Sequence, residues 1–434
     1  MKRHIYWNRV ISLLLLVALT VPTLFRAQEV ARRKAVFKAL YTQADQAVLD
    51  EFSAQNHETL ETRFDALMAS TGLMGDAAFE EKVKSLMIRG ILLGQDVILG
   101  KRNVSDTRFM KEAHALLLEF VKIDVEMQKD KDVLSGEDSF TAFAISLLWA
   151  YLDFYEAHFH EPPTVEEGIQ READIFYTEE ENPLQSLDIY YPEDCKEPLP
   201  VIVDIHGGGL MYGDKSKLLE YASTLSTYGY VVVAINYRLA PQVQYDAQIQ
   251  DILKAYQWVY AHIEEYGGDL NNVYLVGDSA GGQLAYYTSM VGQSEFLSEL
   301  YKTELSPLKI NAIGVVSGMF DMKSGPNSIL LPCMLGYEYR SLPYFPYLQP
   351  QEVLDFGTLP PIFLMTEKKD FLRLATLDFA EILEEKGLPY QLRDDTWQFN
   401  RSIGHVTSVC YPDFPESIAA TKEMMDFFLE HRSN

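Results

Sequence analysis

Cysteine is scarce: three in 434 residues, at Cys195, Cys333 and Cys410. Positions so far apart give no disulfide framework and no metal-ligand spacing, and at most one pair could bridge. The histidines His206 and His405 stand too far from other ligand types to suggest zinc, so no metal is expected. Positive charge is also in deficit. Lysine and arginine total 37 against 63 acidic residues, a net charge of -26. An acidic surface repels phosphate backbones and anionic lipid, which argues against nucleic acid as a partner. From about Glu29 to His160 there is no internal repeat, and no propeller-like repeated β segment stands there. Hydrophobic content of 47% and aromatic content of 12% nevertheless supply a real core, and this length suits one large domain with a smaller one.

Long apolar runs are missing apart from Val10 to Phe25, preceded by Lys2, Arg3 and Arg9. The run is short for a bilayer span, which takes about 20 residues. A basic start followed by such a run reads as an export signal or an uncleaved signal-anchor over residues 1–27. The expected location is therefore secreted or membrane-anchored, with the remaining chain outside the cytoplasm. No cysteine closes the run, which argues against a lipoprotein anchor.

Residues 28–165 have helical periodicity. Val36, Phe37, Leu40, Tyr41, Ala44, Ala47 and Val48 recur at three- and four-residue spacing, as do Phe79, Val83, Leu86, Met87 and Ile91. Phe109, Ala113, Leu117, Phe120 and Val121 repeat the pattern, and the stretch from Phe140 to Phe159 is apolar and aromatic. The segment reads as an all-α domain or cap without a chemical motif; His114, His158 and His160 read as surface or core histidines. Glu161-Pro162-Pro163-Thr164 breaks the helices.

The period then changes. Strands are expected at Ile175–Tyr177, Leu187–Tyr191, Leu199–His206, Tyr230–Tyr237, Ile310–Val316, Pro361–Thr366 and Tyr390–Arg393. Helices are expected near Lys217–Tyr228, Asp246–Tyr266, Leu374–Lys386 and Pro415–Glu430. Alternating apolar strands and helices imply an α/β fold over 166–434, with a mostly parallel central sheet and helices on both faces. Ligands of such sheets bind at the carboxyl ends of the strands.

At one such end stands Val273-Tyr-Leu-Val-Gly277-Asp278-Ser279-Ala280-Gly281-Gly282. An apolar strand enters Gly-x-Ser-x-Gly, and a helical pattern follows from Gln283. Glycines on either side let the chain turn sharply and hold the serine exposed. Serine is a weak nucleophile that needs a base, an orienting acid and a site for the oxyanion. His206-Gly207-Gly208-Gly209, directly after the Leu199 strand, offers unobstructed backbone N–H groups; these and the N–H of Ala280 could receive the oxyanion. Asp370 follows the Pro361 strand, with Glu367 and, more weakly, Asp321 as rival acids. Beyond Asp370 only His405 and His431 remain as bases. His431 sits at a helix end near the terminus and reads as a capping group.

Taken together, His206-Gly-Gly-Gly-Leu210, Tyr237-Arg-Leu-Ala-Pro241, Gly267-Gly-Asp269 and Gly277-Asp-Ser-Ala-Gly281 resemble the hormone-sensitive-lipase-like α/β-hydrolases in order and spacing. The resemblance covers roughly Asp174 to Phe428. It implies an α/β-hydrolase fold and a serine carboxylesterase that acts on acyl esters, usually short-chain ones, without a cofactor. It implies Ser279 as nucleophile, His405 as base and Asp370 as its orienter. It also implies an oxyanion hole from Gly208, Gly209 and Ala280, on the loop that opens at Gly207. Tyr237 to Pro241 is expected to support the loops, with Arg238 pairing an acidic neighbour. Two other classes stay open: a serine peptidase of prolyl-oligopeptidase type, and a non-catalytic small-molecule-binding protein on the same fold.

Overall fold

The computed structural model describes residues 163–433 apart from 195, 241, 324–330, 337, 369, 371, 396–404 and the side chains of 332 and 333. Before that it describes eight residues, all helical: Lys82, Ser85, Leu86, Arg89, Glu112, Ala115, Leu116 and Glu119. The chain divides into two compact units, Met1–Pro162 and Pro163–Asn434. In the first, Leu86 and Leu116 are buried, and Arg89 Nη1 lies 3.7 Å from Glu119 Oε2. The basic-apolar segment of residues 1–27, the other positions of the all-α reading, and Cys195 lie outside the described residues. Cys410 is in no disulfide among the described residues. Among the described residues, no helix is long and apolar enough to cross a membrane.

The second unit is built on an eight-stranded sheet in the order β1-β2-β4-β3-β5-β6-β7-β8. These strands are β1 (Ile169–Phe176), β2 (Ser186–Pro192), β3 (Leu199–Ile205), β4 (Val231–Ile235), β5 (Gly268–Asp278), β6 (Ile310–Val316), β7 (Ile362–Glu367) and β8 (Tyr390–Asp395). β1 and β2 pair antiparallel, and β2 is antiparallel to β4. From β4 across to β8 every neighbouring pair is parallel. This is the α/β-hydrolase fold. The chain folds this way because the inner strands are apolar on both faces. Val231, Val232, Val233 and Ile235 are all fully buried, as are Val201, Ile202, Val203 and Ile205. Such side chains contribute roughly 1.5–3 kcal/mol each when fully buried, and only helices on both faces can cover them.

The helices that matter for the site are α1 (Leu219–Thr227), α2 (Tyr245–His262), α3 (Ser279–Val291), α4 (Arg373–Lys386), α5 (Thr407–Cys410) and α6 (Pro415–Glu430). α6 is tied to the centre of the sheet by Tyr274, whose ring stacks on Phe428 at 4.5 Å and whose hydroxyl donates to the Phe428 carbonyl at 2.9 Å. Two expectations shift. β5 starts at Gly268, not at Val273, because Gly268 and Asp269 already pair with Leu199 and Pro200 before a register shift. Helix α3 starts at Ser279 itself, not at Gln283. Its first turn therefore contains Gly281 and Gly282, poor helix formers that the packing explains.

A Cβ built on Gly281 would stand 1.9 Å from the Ile205 carbonyl oxygen. One on Gly277 would stand 2.5 Å from the Gly281 backbone, and one on Gly282 2.5 Å from Val315 Cγ1. Helix α3 therefore touches β3 and β5 backbone to backbone, which needs glycine where it does so. Gly281→Ala should accordingly destabilise the fold by about 3 kcal/mol or more, since backbone cannot yield as a side chain does. Urea unfolding would measure it; an unchanged midpoint would contradict this packing.

Candidate active site

Ser279 sits where β5 ends and α3 begins, at the carboxyl edge of the sheet. Its φ is 50°, a left-handed conformation that costs a non-glycine residue energy and marks a forced turn. The residue is buried, and among the described residues no group hydrogen-bonds its Oγ. The hydroxyl is thus left available at the N-terminus of a 13-residue helix, where backbone N–H groups favour negative charge.

Two strands away, β7 delivers Asp370. The carboxylate is buried, and its Oδ1 lies 2.9 Å from His405 Nδ1. Oδ1 also accepts the Leu372 N–H at 2.8 Å, and Oδ2 the Thr366 hydroxyl at 3.2 Å. Burial alone would raise the Asp370 carboxyl. The neighbouring His405 imidazole, the Ser317 hydroxyl and the Leu372 N–H outweigh that and hold it below its ordinary value. Asp370 is therefore a charged acceptor that turns Nδ1–H of His405 towards itself.

The rival acids are engaged elsewhere. Glu367 accepts from the Thr407 hydroxyl at 3.0 Å, and Asp321 from Gln349 Nε2 at 2.8 Å. His431 caps α6, its Nδ1 2.8 Å from the Phe427 carbonyl.

The serine and histidine segments are braced by one turn that the sequence does not advertise. After β6 the chain runs Ser317-Gly318-Met319, with Ser317 at φ 56°. The Met319 N–H donates to the Ser279 carbonyl at 2.9 Å. Ser317 Oγ accepts the Val406 N–H at 3.3 Å. The same short turn thus holds the elbow and the residue next to His405. A polar residue placed directly after an apolar strand at the active edge was the available signal.

The glycine loop after β3 lies against the elbow. Gly208 and Gly209 have φ of 111° and 62°, and a Cβ on Gly208 would stand 2.1 Å from the Tyr212 carbonyl oxygen. A side chain is excluded at Gly208, and both left-handed φ values suit glycine. Gly207 corrects the expectation that it contributes to the oxyanion site. Its N–H donates to Asp278 Oδ1 at 2.8 Å, so it is committed to a carboxylate. Gly208, Gly209 and Ala280 remain as candidate donors.

His206 is buried beneath the loop and neutral. Burial pushes its imidazole down to about 4. Its Nδ1 lies 2.7 Å from the Gly207 carbonyl, and its ring stacks on Tyr237 at 4.4 Å. Tyr237 Oη donates to the His206 carbonyl at 2.9 Å. The neighbouring Arg238 makes a two-pronged bond to Asp251, Nε to Oδ2 and Nη2 to Oδ1 at 2.7 Å each. Tyr237 and Arg238 therefore anchor the loop, as the sequence suggests, and Asp251 is the acidic neighbour.

Two carboxyls lie under the loop. Burial pushes Asp278 up to about 6. Burial, and then the charge of Asp278, push Asp204 well above its ordinary value. Among the described residues, no cluster of three or more His, Cys, Asp or Glu side chains is arranged to hold a metal ion.

The chain is similar to several known esterases. The BD-FAE family model matches residues 187–332. The carboxylesterase NlhH of Mycobacterium tuberculosis is 28% identical over 217 residues, 48% of this chain and 67% of its own length. The esterase LipI of the same organism is 26% identical over 247 residues, 50% of this chain and 70% of its own. Among solved structures, esterase B from Lactobacillus rhamnosis superposes with a TM-score of 0.60 at 27% identity, covering 65% of this chain and 92% of that one. The same enzyme inhibited by a C4-C4 SN3 tributyrin phosphonate gives a TM-score of 0.61, again at 27% identity and with 65% and 92% covered. With the sheet order, the strained serine and the glycine loop, these matches identify the chain as a carboxylic ester hydrolase with the α/β-hydrolase fold.

Proposed function

We propose that the chain hydrolyses short-acyl carboxylic esters through an acyl-enzyme formed on Ser279. The observation that carries this reading is the 2.9 Å pairing of His405 Nδ1 with buried Asp370, braced through Ser317 to the turn that holds Ser279. With Nδ1–H donated to Asp370, the Nε2 lone pair is the one left to act. It takes the Ser279 proton as Oγ attacks the ester carbonyl. Gly208, Gly209 and Ala280 donate to the oxyanion. The imidazolium then protonates the leaving alkoxide, and water, deprotonated by the same histidine, releases the acid. Asp370 keeps the tautomer and stabilises the cation without taking the proton. The tributyrin phosphonate that inhibits esterase B supports a short acyl group, because that structure and this chain share the fold.

Hydrolysis is expected to be greatest on p-nitrophenyl acetate and butyrate and to fall with acyl length. Ser279→Ala should abolish it, and Asp370→Asn should lower kcat by roughly 10⁴ through the wrong tautomer. Steady-state assays across acyl lengths would check this. Activity confined to aminoacyl anilides would favour a peptidase, and a folded wild type inert to every ester would favour a binding protein.

The basic residues Lys2, Arg3 and Arg9 ahead of the Val10–Phe25 run support a place outside the cytoplasm, by an export signal or signal-anchor. Cell fractionation with amino-terminal sequencing should find the chain exported or membrane-associated. Intact chain in the soluble cytoplasm would contradict it.

A further inference from the structure

Asp278 stands beside the elbow serine, yet the proposed reaction gives it no step. Its carboxylate is buried where an unpaired charge is costly. Oδ1 accepts the Gly207 N–H at 2.8 Å. A Cβ on Gly207 would stand 2.2 Å from Oδ2, so the glycine loop rests directly on this group. The other ties of the loop lead elsewhere: Tyr237 Oη to the His206 carbonyl, and Gln248 Nε2 to the Leu210 carbonyl at 2.7 Å. The bond from Gly207 joins the loop to the strand that carries the nucleophile.

We propose that Asp278 is a positioning residue that keeps the oxyanion loop in register with Ser279, at some cost to stability. This rests on the hydrolase reading of Ser279. A loop of three glycines has wide conformational freedom, and an oxyanion donor works only if it is already aimed when charge develops. A carboxylate accepts the Gly207 N–H more strongly than a neutral group would. The groups facing Asp278 are Asp204 from β3, Tyr221 from α1, Tyr237 from the turn after β4, and His405 from the segment after β8.

The cost follows from the sign of the shift. Burial places the folded value, about 6, above the ordinary carboxylate value. The stabilising contribution of the protonated form is present in acid and is lost as pH rises through about 6. At pH 8 the buried charge opposes folding, and an isosteric amide removes it.

The test is Asp278→Asn and Asp278→Ala in the full chain, beside wild type and Ser279→Ala, with active sites counted by fluorophosphonate titration. Per labelled site, the pH-independent plateau of kcat on p-nitrophenyl butyrate should fall on the order of tenfold for D278N and 100-fold for D278A. Loss of a whole oxyanion donor sets the upper scale at about 10²–10³. KM should stay within about threefold, and D278N should melt no lower than wild type at pH 8. An unchanged kcat per labelled site in D278N overturns the proposal, whether or not D278A folds. So does a D278N whose lost activity is matched by lost labelled sites and a lower melting temperature. A wild type that neither hydrolyses ester nor labels at Ser279 overturns the hydrolase reading itself.

Discussion

The contact on which this molecule depends is between backbones. Helix α3 lies on β3 and β5 so closely that the Ile205 carbonyl oxygen occupies the space a side chain at Gly281 would need. That approach forces the chain to reverse within one residue, and Ser279 absorbs the reversal in a left-handed conformation. The strain is maintained because the surrounding strands are fully buried and cannot relax. A hydroxyl held in this way does not have to be ordered when substrate arrives.

Around the elbow, charge is placed by burial rather than by surface pairing. Asp370 remains ionised because several donors outweigh its desolvation. Asp278, with fewer donors, sits near the balance point, and Asp204 is pushed well beyond it. Three carboxyls within one core thus differ in protonation according to what donates to them. The overall acidity of the chain plays no part in this, since the exposed carboxylates are screened by water and salt.

Much of this was legible in the sequence because glycine and proline punctuate it and the inner strands are apolar on both faces. The elbow, the glycine loop, the Tyr237–Arg238 support and the order of Ser279, Asp370 and His405 could all be read from spacing and resemblance. The start of α3 could not, because Gly281 and Gly282 argue against helix until the proximity of β3 is known. Gly207 was misjudged for a related reason. That its N–H belongs to Asp278 depends on a contact across 71 residues of chain. The Ser317-Gly318-Met319 brace has only a weak signal, a polar residue after an apolar strand, because it acts through one backbone donor and one hydroxyl and neither carries a motif.

The central claim is that the strained serine at the end of β5 is the nucleophile, driven by His405. It is tested most directly by reacting the full chain with a butyl phosphonate ester and mapping the adduct by peptide mass spectrometry, in wild type and in His405→Ala. The account predicts one phosphonyl group per chain, on Ser279, forming at least a thousandfold more slowly without the imidazole, on the scale that loss of a triad base produces. An adduct on any other residue, or a rate indifferent to His405, would contradict it.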